Sequence, residues 1–443
     1  MRVAFIVNRF PVVSEMFIAN SAVGLIERGH DVDFFCLRGP GWPDVLNSAG
    51  RRHGLNARCH VAVIAEASWL RRLLALPGAC ASVVRHRGLR FAMTAFNAGA
   101  HRRRFAQLLP IHELVMWNDV PLPDVIHCQF GMLGDPMLRH IRSGAMPSAL
   151  VVHFRGHDVD PYISRLGPGA YDDIFHSADM LISNSAHFRD RLLTHGCPAE
   201  RIRVVESPTD VNSFPWRPPS PPIDRPVRLL TVGRLVEKKG IAQAIDAMAE
   251  LRRRGRAFTY RVIGSGSDRA LLEAQIASLD LGDCVSLVGS HPHDVVAAEL
   301  AAADIFLGPS VTDRLGEADA AINTLKEAML TGLPVIGTWH GGIPELVEDG
   351  VSGLLVPERD PVAIADAVER LLDRPDSWGP MSRHARSAVE DRFSLDTIAR
   401  QTLEVYAEAL ARRRERTARV GNLSDRDDMP VPAPGRAVAG DDL

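Results

Sequence analysis

No apolar run in this sequence approaches the roughly 18 residues needed to cross a bilayer. The opening MRVAFIVNRFP is interrupted at Asn8 and Arg9, so it reads as a first β-strand rather than a secretory leader. Cysteine is sparse. Cys36, Cys59, Cys80, Cys128, Cys197 and Cys284 never fall into C-x-x-C pairs, which leaves no metal-ligand spacing and marks them as reduced core residues. These features point to a cytoplasmic protein, attached at most to the inner face of the cell membrane. The net charge of −3 supplies no global field to draw nucleic acid. Glycine is also missing where dinucleotide enzymes need it. None occurs before Gly24, so the Gly-x-Gly-x-x-Gly turn after strand one is absent and an NAD or FAD enzyme is disfavoured. No internal repeat is visible.

One absence is local. From Ala67 to Ile111 there is no Asp or Glu, while Arg71, Arg72, Arg85, Arg87, Arg90, Arg102, Arg103 and Arg104 accumulate among Trp69, Leu70, Leu73, Leu74, Phe91, Phe96 and Phe105. Such a segment suits an anionic membrane surface or a phosphate-bearing acceptor. A solvated helix pair packed on the domain fits it equally.

What is present is an alternation. Short continuous apolar runs (VAFIV, DVDFFCL, DVIHCQF, ALVVHF, DMLISNS, RIRVVES) are separated by amphipathic segments, and after Pro208 the pattern restarts with VRLLTVG, TYRVIG, CVSLVG, ADIFLGPS, LPVIGT and GLLVP. Runs of this kind between helices imply buried parallel strands. The chain of 443 residues, 46% hydrophobic, is long enough for two such cores. The expected fold class is therefore α/β, with two Rossmann-like, doubly wound domains over 1–210 and 227–393. Residues 211–226 form a linker whose PWRPPSPPIDRP is too proline-rich for helix or sheet interior. The tail 412–443 lacks an apolar period and reads as disordered.

Candidate chemistry clusters at strand ends, where open α/β sheets bind ligands. Asp319 sits in a loop and Glu327 follows on a helix beginning near Asn323, so two carboxylates flank a helix N-terminus whose free N–H groups favour phosphate. Carboxylates suit hydroxyl-rich ligands, and a sugar joined to a diphosphate fits both features. Any α/β protein could also contain such a helix and strand. GRLVEKKG, Gly233 to Gly240, brackets a short loop with Arg234 and Lys239, two cations able to neutralise a leaving diphosphate. Gly264-Ser265-Gly266 permits close backbone approach without naming a ligand. In the first half, HFRGHDVD gathers His153, Arg155, His157 and Asp158 after an apolar run. His127 and Gln129 follow DVI, and Ser14-Glu15 opens the first helix as an N-cap or as a pair facing the cleft. Two histidines rarely hold an ion without a third ligand, and Asp158-Val159-Asp160 is as cheap a match as Asp31-Val32-Asp33, so no metal is expected.

Taken together, GRLVEKKG, D-x7-E, EAMLTGLPVIGT, GGIPELVEDGVSG and LLVP resemble the C-terminal domain of glycosyltransferase family 4. FPVVSEMFI and IHCQFG resemble its colanic-acid and amylovoran type exopolysaccharide subgroup, with similarity over nearly 1–410. The resemblance implies a GT-B fold: a nucleotide-sugar donor, UDP- or GDP-linked, in the second domain, and a glycan, lipid-linked or small-molecule acceptor in the first. A final helix over 394–411 would cross back to the first domain. It also implies transfer with retained configuration, no catalytic metal and no cofactor.

By position, the donor residues would be Gly233, Arg234, Lys239, Gly264, Gly266, Asp319, Ile322, Asn323, Thr324 and Glu327, with Glu327 on the ribose. The acceptor residues would be Ser14, Glu15, His127, Gln129 and Arg155. His153, Arg155, His157, Asp158 and Asp319 stand around the reacting centre. Two departures stand out. Asp319 replaces the family's first glutamate, one methylene (roughly 1.5 Å) shorter, and Arg155-Gly156 replaces a His-Gly pair, leaving His153 or His157 to take the histidine's role. No first-domain carboxylate stands out as a nucleophile, which fits a same-face substitution. A GT-B epimerase or phosphorylase, and a catalytically inactive homologue, are the rival readings.

Overall fold

The computed structural model describes residues 1–62, 67–156, 158–320 and 322–427. His157 and residues 428–443 lie outside these, and with them the reading of His157 and of the end of the tail. Strands β1 (Arg2–Val7), β2 (Asp31–Cys36), β3 (Cys59–Val61), β4 (Val125–Cys128), β5 (Ala149–Phe154), β6 (Met180–Ser183) and β7 (Ile202–Val204) form one sheet in the order 3-2-1-4-5-6-7. A second sheet holds β8 (Val227–Val232), β9 (Phe258–Ile263), β10 (Val285–Gly289), β11 (Ile305–Gly308), β12 (Val335–Thr338) and β13 (Leu354–Val356) in the order 10-9-8-11-12-13. Every pairing is parallel, as in Arg2 opposite Asp31 or Val227 opposite Phe258. In both sheets the order reverses beside the first strand, which leaves a crevice at the carboxyl ends.

Alternation along each strand builds two cores per domain. Ile6, Ile126 and Val152 face one helical layer with Trp117, while Phe5, Val125 and Val151 face the other. In the second domain Leu229, Val262 and Leu307 pack with the helix Ile241–Arg253, and Leu230, Ile263 and Phe306 with the helix Asn323–Thr331.

The chain crosses between domains twice at one place, where Thr209 pairs with Ser394 and its N–H donates to the Phe393 carbonyl at 2.8 Å. The last helix, Leu395–Asp427, then packs on the helix Met16–Glu27. Gly24 makes this approach feasible, because a Cβ there would lie 2.7 Å from the Leu395 carbonyl oxygen. This helix corrects the disorder expected for the tail over residues 412–427. Its middle turns are held by polar contacts: Arg412 donates to the Glu200 carbonyl, Arg413 to that of Pro147, and Arg416 pairs with Asp179 at 2.8 Å. The proline-rich linker is pinned as well. Phe214 is buried and the Trp216 indole donates to Ser382 Oγ at 2.9 Å.

Candidate functional site

On the second domain, the loop after β8 carries Gly233, exposed Arg234 and half-buried Lys239. Gly240 ends it at φ +63°, and a Cβ there would fall 1.7 Å from the Pro309 carbonyl oxygen, so the loop lies directly on the strand end that follows β11. Gly264 and Gly266 serve this loop. A Cβ at Gly264 would meet the Gly233 oxygen at 1.8 Å, and one at Gly266 the Leu235 oxygen at 2.2 Å. Their close backbone approach is to the neighbouring loop.

Asp319 stands against the two lysines of this loop. Lys239 Nζ donates to its Oδ2 at 2.9 Å, Ser310 Oγ does so at 2.9 Å, and Lys238 Nζ is 3.9 Å from Oδ1. Burial opposes ionisation here, but the two lysines and the serine outweigh it and hold the carboxyl below its ordinary range. Its backbone is equally constrained. The Asp319 N–H donates to His340 Nε2 at 3.0 Å while His340 Nδ1 reaches Glu358 at 2.8 Å, and Gly342 N–H donates to the Asp319 carbonyl. Gly341 must be glycine, because a Cβ would sit 2.0 Å from that carbonyl oxygen.

The helix Asn323–Thr331 begins at Ile322 without a side-chain cap. Thr324 Oγ1 anchors it to the Val232 carbonyl at 2.9 Å, and the buried Asn323 Oδ1 has no partner among the described residues. Glu327 lies in a narrow crevice between the domains, together with Asn323, Phe17, Asn20 and Thr209. His293 Nε2 sits 3.5 Å from Glu327 Oε1; this pairing outweighs burial and raises the imidazole above its ordinary value. Sequence reasoning missed His293, although it follows β10 at the same strand-end edge as the residues it did find. Lys326, beside Glu327, is buried and donates to the Ser207 carbonyl across the domain boundary at 2.6 Å. Burial lowers it to about 8 against the pull of Glu206.

The first-domain wall is turned inward. Arg155 is buried; Nε donates to the Gln129 carbonyl at 3.2 Å, Nη1 to Ser207 Oγ at 2.9 Å, and Nη2 to Gln129 Oε1 and His153 Nδ1 at 3.0 Å each. Phe17 stacks over its guanidinium at 4.5 Å. One N–H of its five remains, so Arg155 is chiefly a brace between strand ends and hinge. Burial brings it down to about 9, against the attraction of Asp158 and Glu15. Asp158 is a loop organiser: buried, it accepts the Arg155 and Gly131 N–H groups, and burial raises its carboxyl despite them.

His127 and His153 are stacked with ring centroids 5.5 Å apart, and His127 Nδ1 meets Tyr406 Oη of the last helix at 2.7 Å. Burial, with Arg155 adding to it, pushes His127 down to about 3 and His153 well below its ordinary value. Both imidazoles are thus neutral at pH 7. A neutral, enclosed His153 bonded to Arg155 is a poor proton shuttle, which counts against the role expected for it. The Nε2 atoms of His127, His153 and Gln129 are buried without partners among the described residues. Glu15 faces this group, and burial raises it to about 7, partly offset by Arg155. Ser14 is exposed in a single 3-10 turn and makes no cap hydrogen bond, contrary to the N-cap reading. Among the described residues no group of three or more His, Cys, Asp or Glu side chains could hold a metal ion, and no helix is long and apolar enough to cross a membrane.

Comparison with known proteins gives this arrangement its family. Residues 14–208 match the glycosyl transferase 4-like domain, and residues 226–374 match glycosyl transferases group 1. The chain is 32% identical over 410 residues to the amylovoran biosynthesis glycosyltransferase AmsK of Erwinia amylovora, covering 91% of this chain and 99% of that one. It is 32% identical over 418 residues to the putative colanic acid biosynthesis glycosyltransferase WcaL of Escherichia coli K12, covering 90% and 98%. In fold it is similar to Anabaena Alr3699/HepE, solved in complex with UDP-glucose, at TM-score 0.66, 21% identity and coverage of 92% and 99%. The two facing parallel sheets are accordingly a GT-B fold. This chain belongs to the group 1, family 4-like glycosyltransferases and is a transferase of their exopolysaccharide-type branch.

Proposed function

We propose that the protein moves a sugar from a nucleoside-diphosphate donor to a glycan or lipid-linked glycan acceptor, with retained configuration and without a catalytic metal. The observation that carries this reading is that Arg234, Lys239, Asp319, Glu327 and an uncapped helix start all follow the carboxyl ends of β8 and β11, with Lys239 bonded to Asp319. A diphosphate fits the two cations and the helix N–H groups, each charge-assisted hydrogen bond contributing about 1.5–3 kcal/mol. Ribose hydroxyls fit the Glu327 carboxylate. Lys239 is already paired with Asp319, so an arriving phosphate shares or replaces a carboxylate, and the freed Asp319 can accept from hydroxyls of the donor sugar.

The other wall supports a same-face course. His127 and His153 are neutral and enclosed, Asp158 is spent on backbone N–H groups, and Glu15 lies beside the Arg155 brace. None is presented as a carboxylate nucleophile for a double displacement. The leaving phosphate, held by Arg234 and Lys239, would take the proton of the attacking hydroxyl while those cations stabilise the departing charge. The UDP-glucose complex of the Anabaena neighbour makes UDP-sugars the first donors to try.

A thermal-shift panel of UDP- and GDP-sugars is expected to give one stabilising family of donors, by mass action. The product of turnover with a glycan acceptor, read by proton NMR, should keep the donor's anomeric configuration, and chelator should leave the rate unchanged. Inverted product overturns the same-face course. Epimerised donor in the absence of acceptor replaces the transferase reading with an epimerase.

A further inference from the structure

The helix Trp69–Arg87 has two apolar faces, and only one of them is used. Ala79 and Val83 enter the first-domain core together with Ala92 and Ala95 from the following segment. On the opposite side Leu70, Leu73, Leu74, Pro77, Ala81 and Val84 recur at helical spacing as one stripe. Leu70 is 59% exposed and Leu74 74%, values far from those of packed residues. The next helix, Leu89–Thr94, continues the surface with exposed Leu89, Met93 and, just past its end, Phe96.

The arginines here divide into two sets. Arg72 and Arg87 are consumed by structure, donating to the carbonyls of Gln107 and Trp117. Arg71, Arg85 and Arg90 are exposed along the apolar surface and form no ion pair with any described residue. No acidic residue occurs between Ala67 and His112, so nothing within the segment neutralises them.

We propose that this face docks the protein on an anionic lipid surface, the leucine stripe entering the interface and Arg71, Arg85 and Arg90 meeting headgroup phosphates. The chemistry selects this occupant. An apolar stripe flanked by Arg71, Arg85 and Arg90, with the acidic Asp119 paired to His86 at 3.5 Å at the helix end, is complementary to a surface that is apolar beneath and negative at its boundary. A second copy of the same face would set arginine against arginine, which disfavours self-association. Docking by this face is independent of the reaction proposed above.

The test is co-sedimentation of the full chain with vesicles of phosphatidylcholine alone or with one part in three phosphatidylglycerol. Binding is expected on the anionic vesicles, at least tenfold weaker on phosphatidylcholine, and weakened by added salt. The combined variant Arg71→Gln/Arg85→Gln/Arg90→Gln should lower partitioning about a hundredfold, roughly fivefold per arginine. Leu70→Ser/Leu74→Ser should release the protein as well. These positions are exposed, so unchanged circular dichroism and melting midpoint are expected and separate docking from folding. A control, Arg252→Gln on the second domain, should bind as the parent does. Equal binding to both vesicle types, no binding to either, or concentration-dependent dimerisation abolished by Leu70→Ser/Leu74→Ser would each overturn the proposal.

Discussion

On the first-domain wall of the cleft the ionisable groups are turned toward one another, whereas on the second-domain wall they are arrayed along the opening. Arg155 gives four N–H groups to Gln129, His153 and Ser207, and His127 and His153 are neutral. Across the cleft, Arg234 is exposed and the half-buried Lys239 is paired with Asp319 in a short loop. Both walls stand at strand ends and both are rich in polar side chains, yet burial gives them different work. Enclosed hydrogen-bonded charge fixes geometry, because losing a partner leaves an uncompensated group. Charge that keeps a path to solvent can trade its partner for a ligand.

The sharpest way to break this comparison is to remove one cation from the open wall. Lys239→Ala should lower kcat/KM by about a hundredfold, the equivalent of one strong charge-assisted contact. Lys238, 3.9 Å from Asp319, still offers that carboxylate a counter-charge, so the melting midpoint should change little. Steady-state kinetics and thermal melts on one preparation decide the matter. Wild-type turnover by Lys239→Ala would remove the diphosphate assignment from this loop.

The matching change on the enclosed wall is Arg155→Met. It strands Gln129, His153 and Ser207 and should cost about 3 kcal/mol of unfolding free energy, the range for breaking a buried charged network. Donor affinity should move by only a few-fold, because Arg155 reaches the second domain through Ser207 alone among the contacts described above. Urea titration reads the first quantity and calorimetric titration with the donor the second. A large loss of donor affinity without loss of stability would make Arg155 a ligand-facing residue after all.

The contrast also explains what the sequence could show. The parallel strands and the two-domain α/β class were legible because such strands read as short apolar runs between Gly and Pro, a local signal. The location of Lys239 and Glu327 beyond strand ends was legible because strand ends can be counted. Orientation was not. HFRGHD reads the same whether Arg155 points to solvent or, as found, into a cage made by residues distant in sequence. The helix beyond 411 was missed for a related reason. It is held by arginines on carbonyls and by the Arg416–Asp179 pair, so it needs no hydrophobic period to betray it. Gly264 and Gly266 announced a close approach, and the backbone that approaches them is that of Gly233 to Leu235.

The finest probe of the open wall is a proton. His293 stays protonated above its ordinary range because Glu327 lies 3.5 Å away, more than burial takes back. A histidine raised in the folded state stabilises it fully below the unfolded value near 6.5 and loses that contribution as pH rises through the folded value. Ribose hydroxyls taking over the Glu327 carboxylate would deprive His293 of its partner, and part of a proton would leave near pH 7. Donor titrations in two buffers of unlike ionisation enthalpy should therefore differ in apparent heat for the parent and agree for His293→Gln. A difference that persists in His293→Gln would mean that the proton comes from elsewhere and that the ribose does not displace this pair.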